Sequence, residues 1–400
     1  MTKQVCRYNH STPHRLGAIA MALALSSSAF AAEYTLVDLG VFPGESQNKL
    51  SFAYGINNAS QVVGWGSKIS VAREGFIWDG GVWTSLGDLP GGVKSSEAHG
   101  INNLGVVVGF SSGDSATTPG TTQQRGFIWQ GGTMSALPDI AGYQVTETYA
   151  LSVNDSGKVV GYSGVVGGYR AVLWSGGVAQ DLGVIGPSYA SSKAFAINNQ
   201  GQVVGESTGS NIAHAFIWQN GVMTSLGDLP GGGDNYSSAA GINNLGQVVG
   251  TGYVDKGSAS TDRAHAFLWE NGTMLDLGVL GDVATDLSYA TDINNLGQVV
   301  GYGTTASGSS ASRHAFIWQN GVMRDLNELI ELPLGSEIEL KEAMAINDKG
   351  EVVGWMYDEV GYRHAFLAIP TTPVPEPETY ALLLAGLGFV GWAVRRKQYS

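Results

Sequence analysis

Residues 241–250 of the chain read Gly-Ile-Asn-Asn-Leu-Gly-Gln-Val-Val-Gly, and residues 265–272 read His-Ala-Phe-Leu-Trp-Glu-Asn-Gly. The same pattern recurs seven times, and consecutive copies are 44 to 53 residues apart. A tandem period of this length is typical of one supersecondary unit repeated side by side. The first asparagine of each copy stands at Asn57, Asn102, Asn154, Asn198, Asn243, Asn294 and Asn347.

Each copy predicts four short antiparallel strands. In the fifth copy we expect strands over 239–243, 247–250, 265–269 and 274–277. A glycine in the first turn supplies a positive φ, and the Asn-Gly pair is the strongest two-residue signal for a β-hairpin. Four antiparallel strands within about 45 residues match the size of a β-propeller blade.

The two ends of the repeat array complement each other. The last copy stops after residues 364–368 and lacks a fourth strand, whereas residues 34–40 predict a fourth strand with no blade before it. We therefore predict an all-β, seven-bladed propeller over residues 32–369, closed by pairing of the N-terminal strand with the last blade. An open array and a two-sheet arrangement are the alternatives, but a linear solenoid would need capping repeats and none is visible.

Composition narrows the class of protein. With 58 glycines and only 14% charged residues, the chain indicates a turn-rich body of short strands. A formal net charge of −13 argues against a nucleic-acid partner, which requires a basic surface. The single cysteine, Cys6, lies in the N-terminal segment described next, so we expect neither disulfides nor thiol chemistry in the mature protein.

Residues 1–31 are typical of a secretory signal peptide. A basic segment precedes an apolar run that is too short for a permanent membrane span, and a small-x-small cleavage pattern follows it. The residues that carry these features are Lys3, Arg7 and Arg15, the apolar run 16–25, and Ala29 and Ala31 at the cleavage site.

The C-terminus resembles a second targeting segment. Residues 370–378 are rich in proline and threonine and predict a linker, and residues 379–400 predict a membrane-type helix with a basic tail. The apolar stretch 380–394 is slightly short for a bilayer, although local thinning of the bilayer and snorkelling of the arginines can compensate. A buried terminal helix is the alternative. The basic stop-transfer cluster is Arg395, Arg396 and Lys397, which would remain cytoplasmic.

Together these C-terminal elements resemble the PEP-CTERM sorting signal. The resemblance rests on Pro375, Glu376 and Pro377, followed by the short apolar helix and the basic tail. It implies that an exosortase-type membrane enzyme recognises this motif and processes the chain. It further implies transient inner-membrane anchoring before delivery to the cell surface, outer membrane or extracellular matrix, in a setting linked with exopolysaccharide and biofilm.

The repeat itself is similar to the HAF family of extracellular repeats over residues 34–369. His-Ala-Phe occurs in copies four to seven, and copies one to three depart from it at Glu74, Arg125 and Arg170. The resemblance implies a structural unit and no activity. The histidines of the motif are His214, His265, His314 and His364.

Two repeated residue types suggest sites, but both have structural interpretations. Equivalent histidines on separate blades would be spread around the ring, so we expect no metal site. We expect each histidine to make a structural hydrogen bond instead, and an asparagine of the Ile-Asn-Asn segment is a candidate partner. The repeated tryptophans could stack on sugars, but we expect them to pack between blades first. They are Trp78, Trp129, Trp174, Trp218, Trp269 and Trp318.

Catalytic motifs are present only as short matches. Ser111 and Ser207 stand in Gly-x-Ser-x-Gly sequences, but a nucleophile elbow requires a strand that feeds a helix, and no helix is predicted there. Residues 386–391 match a dinucleotide fingerprint inside the membrane-type segment, where helix packing is the better interpretation. We therefore assign no catalytic residue.

The copies differ most on one rim of the predicted propeller. The near-uniform turns share one rim, here called the uniform rim, and the loops between second and third strands share the opposite, variable rim with the crossovers between blades. This layout favours ligand binding on the variable rim, over residues 110–125, 206–213, 251–263 and 302–312. Acidic residues there would suit Ca²⁺ or a polyol, and equally a solvated surface. They are Asp114, Asp234, Asp255, Asp262, Asp282 and Asp286.

These features predict an exported propeller that binds extracellular polysaccharide or surface proteins without catalysis and without a required cofactor. One alternative is a polysaccharide lyase or hydrolase with carboxylates gathered at the channel mouth. Another is a purely structural matrix component. The ligand itself is not identified by any sequence pattern.

Overall fold

The structure of the protein is a computed structural model. It describes residues 33–43, 50–68, 71–91, 95–114, 122–186, 189–209, 212–230, 236–254, 263–281, 287–305, 312–333 and 335–371. The predicted signal peptide, the C-terminal helix and all of the linker after residue 371 lie outside these ranges. Within them, no helix combines the length and the apolar character needed to cross a bilayer.

The described chain forms seven four-stranded antiparallel sheets, which confirms the seven-bladed propeller. Blade 1 contains β2 (Ser51–Ile56), β3 (Val62–Lys68), β4 (Val71–Asp79) and β5 (Val82–Ser85). Blade 2 contains β6 (Ser96–Ile101), β7 (Val107–Asp114), β8 (Thr122–Gln130) and β9 (Thr133–Ala136). Blade 3 contains β10 (Val145–Val153), β11 (Val159–Val165), β12 (Gly168–Ser175) and β13 (Val178–Asp181).

The remaining blades follow the same order along the chain. Blade 4 contains β14 (Tyr189–Ile197), β15 (Val203–Gly209), β16 (Ala213–Gln219) and β17 (Val222–Ser225). Blade 5 contains β18 (Ser237–Ile242), β19 (Val248–Val254), β20 (Arg263–Glu270) and β21 (Thr273–Asp276). Blade 6 contains β22 (Ser288–Ile293), β23 (Val299–Thr305), β24 (Ser312–Gln319) and β25 (Val322–Asp325), followed by a 3-10 turn over Leu326–Glu328.

Blade 7 is assembled from both ends of the described chain. It combines β26 (Glu339–Ile346), β27 (Val352–Tyr357) and β28 (Arg363–Pro370) with the N-terminal β1 (Tyr34–Gly40). β1 is the fourth strand and pairs with β28 in an antiparallel ladder that runs from Tyr34 opposite Pro370 to Gly40 opposite Ala365. The predicted closure by the N-terminal strand is therefore present, and it leaves β28 no open edge.

The core lies between neighbouring blades. The phenylalanine of the third strand is fully buried in six blades, as Phe76, Phe127, Phe216, Phe267, Phe316 and Phe366. A cluster between blades 7 and 1 joins Leu39 and Leu367 to Ala53 and Val62. Within a blade, the glycine after Val-Val permits close approach of the first and second strands, because a Cβ on Gly64 would lie 1.9 Å from the carbonyl oxygen of Phe52.

The turns of the uniform rim adopt the predicted conformations. In blade 5, Asn271 and Gly272 have φ values of 51° and 84°, which are those of a type I′ hairpin turn. Gly246 has a φ of 81° in the turn after Ile-Asn-Asn. The chain direction alternates along each blade, so both turns lie on the same rim and the loops between second and third strands lie on the other.

Strand pairing extends further toward the variable rim than the sequence pattern suggested. Residues 110–114 and 122–125, predicted as loop, continue the ladder of β7 and β8, in which Ser111 lies opposite Arg125. The same holds at residues 206–209, 251–254 and 302–305. Main-chain pairing does not need apolar side chains. The polar ends of these strands were therefore not predicted from the apolar pattern.

Candidate functional site

The seven innermost strands end together around the propeller axis on the uniform rim. Their last isoleucine or valine and the next two residues line an open depression of about 190 Å³. The residue after the strand is asparagine in all blades, and the one after that is asparagine or aspartate. The second positions are Asn58, Asn103, Asp155, Asn199, Asn244, Asn295 and Asp348.

The first asparagines form a closed circuit of hydrogen bonds. Each side-chain Nδ2 donates to the carbonyl oxygen of the equivalent asparagine in the next blade, over 2.9–3.1 Å. The circuit closes when Asn347 of blade 7 donates to Asn57 of blade 1. Each Oδ1 accepts hydrogen bonds within its own turn, as Asn57 does from the amides of Ala59 and Gln61. These side chains are buried and are bonded within the ring.

The residues that follow the first asparagines form another closed circuit of hydrogen bonds. Each backbone amide donates to the side-chain oxygen of the next blade over 2.8–2.9 Å. Asp348 also accepts from the Nδ2 atoms of Asn58 and Asn295. The depression is therefore lined by groups that already bind one another, and the most uniform motif of the sequence joins the blades.

Asp155 is the second carboxylate of this ring. Partial burial opposes its ionisation, but hydrogen bonds from Asn103 and Asn199 outweigh burial and lower the pKa of Asp155. Its Oδ2 accepts from Nδ2 of Asn103 at 3.1 Å and of Asn199 at 2.9 Å. The negative charge is thus held by donors of both neighbouring blades.

A third set of bonds between blades lies toward the variable rim. In blade 2, Oγ of Ser96 accepts from the amide of Gly75 and donates to the carbonyl oxygen of Gly87, both in blade 1 or its crossover. Ser51, Ser192, Ser237 and Ser288 make the same pair of bonds. Sequence reasoning missed this role, although a serine two residues before a buried alanine recurs in most copies.

The motif histidines bind aspartates, and the predicted asparagine partner is wrong. Nδ1 of His265 lies 2.9 Å from Oδ2 of Asp276, which belongs to the fourth strand of the same blade. His364 binds Asp38 of β1 in the same way. Third and fourth strands are adjacent in the sheet, whereas the asparagine turn lies at the opposite end of the blade, so the Asp-Leu-Gly aspartate is within reach and the asparagine is not.

The other blades use the same position for different polar pairs. His314 binds Asp325, and this hydrogen bond raises the pKa of the imidazole. His214 lies 3.3 Å from Asp228, because a serine replaces the fourth-strand aspartate. In blades 1 to 3, which lack the His-Ala-Phe motif, the pairs are Glu74 with Ser85, Arg125 with Asp139, and Arg170 with Asp181. Among the described residues, no three His, Cys, Asp or Glu side chains are grouped to hold a metal ion.

The serines of the Gly-x-Ser-x-Gly matches lie in strands, and both hydroxyls bind main chain. Ser111 is fully buried, and its Oγ accepts from the amide of Leu89 at 3.1 Å. Ser207 accepts from the amide of Ile185 and donates to the carbonyl oxygen of Ser191. Each hydroxyl therefore fixes the crossover from the preceding blade.

The repeated tryptophans pack between blades, as predicted. Trp218 of blade 4 lies in one cluster with Val160 and Leu173 of blade 3. Trp129 of blade 2 packs in the same way against Val63 and Ile77 of blade 1.

The predicted acidic positions of the variable rim lie mainly outside the described residues. This applies to Asp234, Asp255, Asp262, Asp282 and Asp286, and the side chain of Asp114 is likewise outside. The predicted sorting, basic-tail and signal-cleavage residues also lie outside them.

Within the described residues, the first two strands also differ chemically between blades, near their variable-rim ends. In β2, Ser51 and Ala53 are fully buried, and the half-exposed Phe52 and Tyr54 alternate with them onto the opposite face. The residue at the Phe52 position lies opposite one residue of the second strand in each blade. The seven pairs are Phe52–Trp65, Glu97–Phe110, Tyr149–Tyr162, Lys193–Glu206, Ser238–Thr251, Tyr289–Tyr302 and Glu342–Trp355.

These pairs were not predicted from the sequence. The variable residue x of the Ser-x-Ala pattern is nevertheless the first-strand member of each pair. The ring contacts run from blade to blade. Phe52 stacks on Trp65 at 4.8 Å between ring centroids and contacts Trp355 of blade 7 at 5.8 Å. Phe110 contacts Tyr149 of blade 3 at 4.8 Å. Aromatic side chains thus lie on the two innermost strands of several neighbouring blades, and these strands surround the central channel of the propeller.

Comparison with solved structures finds similar chains at low identity. The chain is similar to the β-propeller domain of the Trilobed protease from Pyrococcus furiosus, with 10% identity and a TM-score of 0.45 over 83% of this chain and 98% of that one. It is similar to the acylaminoacyl peptidase of Pyrococcus horikoshii, with 11% identity and a TM-score of 0.45 over 83% of this chain and 54% of that one. It is also similar to the SapL1 lectin in complex with alpha methyl fucoside, with 11% identity and a TM-score of 0.35 over 87% and 98%.

At these identities the likenesses do not bear on activity. A search of curated proteins found no match. The C-terminal segment, by contrast, matches a family model, and this confirms the prediction made from the Pro-Glu-Pro sequence and the basic tail. Residues 373–397 are a PEP-CTERM protein-sorting motif, which implies export and processing by an exosortase-type enzyme.

Proposed function

We propose that this protein is an exported β-propeller that is sorted by an exosortase-type enzyme and then binds polysaccharide or protein partners at the cell surface or in the extracellular matrix, without catalysis. The carrying observation is the sorting motif over residues 373–397, which follows β28, the last strand of the seven-bladed propeller along the chain. The N-terminal signal sequence predicted over residues 1–31 is consistent with the same route.

The use of the repeated polar residues supports a binding scaffold. The asparagines, serines and motif histidines are engaged in bonds between or within blades, as for Asn198 with Asn243 and His265 with Asp276. What differs among the blades is the set of pairs beside the channel, which ranges from aromatic to charged. A constant frame with a variable inner surface is the arrangement that lets a propeller present a ligand surface.

The sorting part of the proposal is tested with the full chain in an exporting bacterium that has an exosortase. Replacing Pro375, Glu376 and Pro377 together by alanine removes the Pro-Glu-Pro sequence, and Thr372→Ala, just before the matched residues 373–397, is the control. Mass spectrometry of the C-terminal peptides is carried out on envelope and surface fractions. We expect the control at the surface without Arg395 to Lys397, and the triple variant in the inner membrane with its tail intact.

Surface delivery of the triple variant at the level of the control would contradict exosortase recognition.

The binding part is tested by incubating the exported chain with the polysaccharide and the protein fractions of the producer's own matrix. Retention by either fraction is expected. Retention by neither, or a steady release of new chain ends from bound polysaccharide, would contradict a non-catalytic binder.

A further inference from the structure

Three neighbouring blades carry the same pair of an arginine and an aromatic ring at the variable-rim end of the channel. The arginine directly precedes the histidine position of the third strand, and its guanidinium lies over the ring of the second strand. The distances to the ring centroid are 4.9 Å in blade 1 and 5.3 Å in blades 6 and 7. We name these six residues the arginine–aromatic arc: Arg73 and Trp65, Arg313 and Tyr302, Arg363 and Trp355.

The arc is continuous because blades 6, 7 and 1 adjoin. Phe52 of blade 1 stacks on Trp65 and contacts Trp355 of blade 7. Arg313 of blade 6 donates to Oε1 of Glu342 in blade 7 at 2.7 Å, and Glu342 lies opposite Trp355 in the ladder of that blade. The three guanidinium groups therefore follow one another around the mouth of the channel.

The middle arginine differs from its two neighbours in its electrostatic environment. Arg313 pairs with Glu342, and Arg73 pairs with Glu97 of blade 2. In blade 1, which follows the blade of Arg363, the position of these glutamates is occupied by Phe52. Arg363 is exposed, and in the described part of the chain it has no ion pair. A stacked guanidinium has a fixed orientation and leaves its N–H groups free for a ligand.

We propose that the arginine–aromatic arc binds an acidic polysaccharide, and that sugar carboxylates pair with Arg363 and with the outer edges of Arg73 and Arg313. The proposal rests on the proposed function and names the ligand class. The side chains of Arg73 and Arg313 are 50% and 60% exposed, so their outer edges are accessible despite their glutamate partners. A guanidinium binds a carboxylate with two parallel hydrogen bonds. Three of them in a row match a polymer with repeated carboxylates better than a single small anion.

Charge also bears on this proposal. The whole chain has a formal net charge of −13, which repels a polyanion in general. Binding of an acidic polymer therefore requires a local group of cations, and the arc brings together three guanidinium groups of adjoining blades. The stacked rings hold these cations in place and reduce the entropy lost when a ligand orders them.

The test measures binding of the full-length chain to alginate, a polyuronate, by calorimetry near physiological salt. Dextran serves as the neutral polysaccharide and polyglutamate as an acidic polymer that is not a sugar. Arg363→Ala removes the unpaired guanidinium, Arg363→Lys keeps the charge without the planar group, and Glu342→Gln removes the partner of Arg313. Lys349→Ala removes one cation from the uniform rim and is the control matched in charge.

We expect alginate to bind and dextran to bind at least about tenfold more weakly, because a charge-assisted pair is the main attraction. Polyglutamate should also bind more weakly than alginate, because it has carboxylates but no sugar rings to pack against the aromatic side chains of the arc. Arg363→Ala should weaken alginate binding about tenfold, Arg363→Lys less so, and Glu342→Gln should strengthen it. The Lys349→Ala chain should bind like the wild type. Unchanged unfolding midpoints of the variants exclude a folding defect.

Equal affinity of Arg363→Ala and the wild type for alginate would overturn the arc as the site. Absence of alginate binding by the wild type, or equal binding of dextran or polyglutamate, would overturn the acidic polysaccharide as the ligand. A wild-type chain that binds the producer's matrix while Arg363→Ala binds it equally contradicts the arc and leaves the proposed function intact. A wild-type chain that binds neither contradicts both.

Discussion

Asn198 uses every polar atom of its side chain. Its Oδ1 accepts from the amides of Gln200 and Gln202 at 3.1 and 2.9 Å, which shapes the turn. Its Nδ2 donates to Oε1 of Gln202 at 2.7 Å and to the carbonyl oxygen of Asn243 in the next blade at 3.0 Å. The residue must accept and donate at once, so an aspartate, which only accepts, could not replace it in this ring.

We predict that Asn198→Ala lowers the free energy of unfolding by about 1–3 kcal/mol, because two partly buried amides and one buried carbonyl oxygen lose their partner. Chemical denaturation at neutral pH measures the change. Leu245→Ala is the control on the same rim, since that side chain is 70% exposed and should be nearly neutral. A loss as small as that of the control would mean that the asparagine ring does not stabilise the propeller.

Asp292 occupies a position that is glycine, alanine or serine in the other blades. The residue keeps some exposure, but its carboxyl group lies between blades 6 and 7 and accepts from the amides of Ile293 and Ile346. Burial raises the pKa of Asp292 to about 7, and these two hydrogen bonds offset only part of that effect. Ser152 of blade 3 accepts from the amide of Ile197 in the same place without a charge.

The raised pKa makes the stability of the propeller depend on pH. The folded chain binds the Asp292 proton more tightly than the unfolded chain, whose ordinary value is 3.8, so stability falls as the pH rises from 3.8 to about 7. We predict that Asp292→Ser gains stability relative to the wild type at about pH 8 and gains little at about pH 4. Thermal unfolding at both pH values measures this difference.

Asp155→Asn is the matched control for this experiment. The pKa of Asp155 is lowered, so its contribution to stability is present above its ordinary value of 3.8 and is lost only below it. The difference between this variant and the wild type should therefore be constant from about pH 5 to about pH 8. If Asp292→Ser also shows a constant difference over the range from pH 4 to pH 8, the assigned titration is wrong.

Among the strands, β1 is the one that completes blade 7 from the N-terminal end of the described chain. It adds the ladder to β28 and buries Tyr34 and Leu39, which are 6% and 5% exposed. Its Asp38 binds His364, and the preceding Glu33 pairs with Arg324 of blade 6. The element thus connects blade 7 to blade 6 as well as to its own sheet.

We predict that deletion of residues 34–40 destabilises the propeller by about 5 kcal/mol or more, because each of the two buried side chains contributes about 1.5–3 kcal/mol and the edge of β28 becomes exposed. Calorimetry and size-exclusion chromatography should show a lower unfolding temperature and self-association. Thr35→Ala, at an exposed position of the same strand, is the control. A deletion variant as stable as this control would rule out β1 as the closing element.

In the whole molecule, closure and variation are separated in space. Two hydrogen-bond circuits close around the axis on the uniform rim, where Asn347 and Asp348 of blade 7 reach Asn57 and Asn58 of blade 1. At the other end of the channel, the inner pairs change from aromatic in blade 3 to charged in blade 4. A ring that is held together at one end can vary its side chains at the other without loss of closure.

Much of the fold followed from local patterns, and the candidate site did not. The strands around residues 265–269 and the Asn271-Gly272 turn were predictable because backbone preference and apolar runs act over a few residues. The partner of His265 was predicted wrongly because strand order in the sheet decides which polar residue is near. The arginine–aromatic arc was not predictable, since Trp355 and Phe52 are far apart in the chain and come into contact only when the ring closes.

The amino-acid sequence alone determined the repeat number, the missing strand of the last copy and the C-terminal sorting motif, because each is a pattern of residues along the chain. Only the tertiary structure decided that the repeated asparagines bond to one another in two circuits and that three arginines of blades 6, 7 and 1 lie in a row. Period and turn type depend on near neighbours. Contacts between blades depend on how seven units curve around one axis, and that curvature arises from packing between sheets.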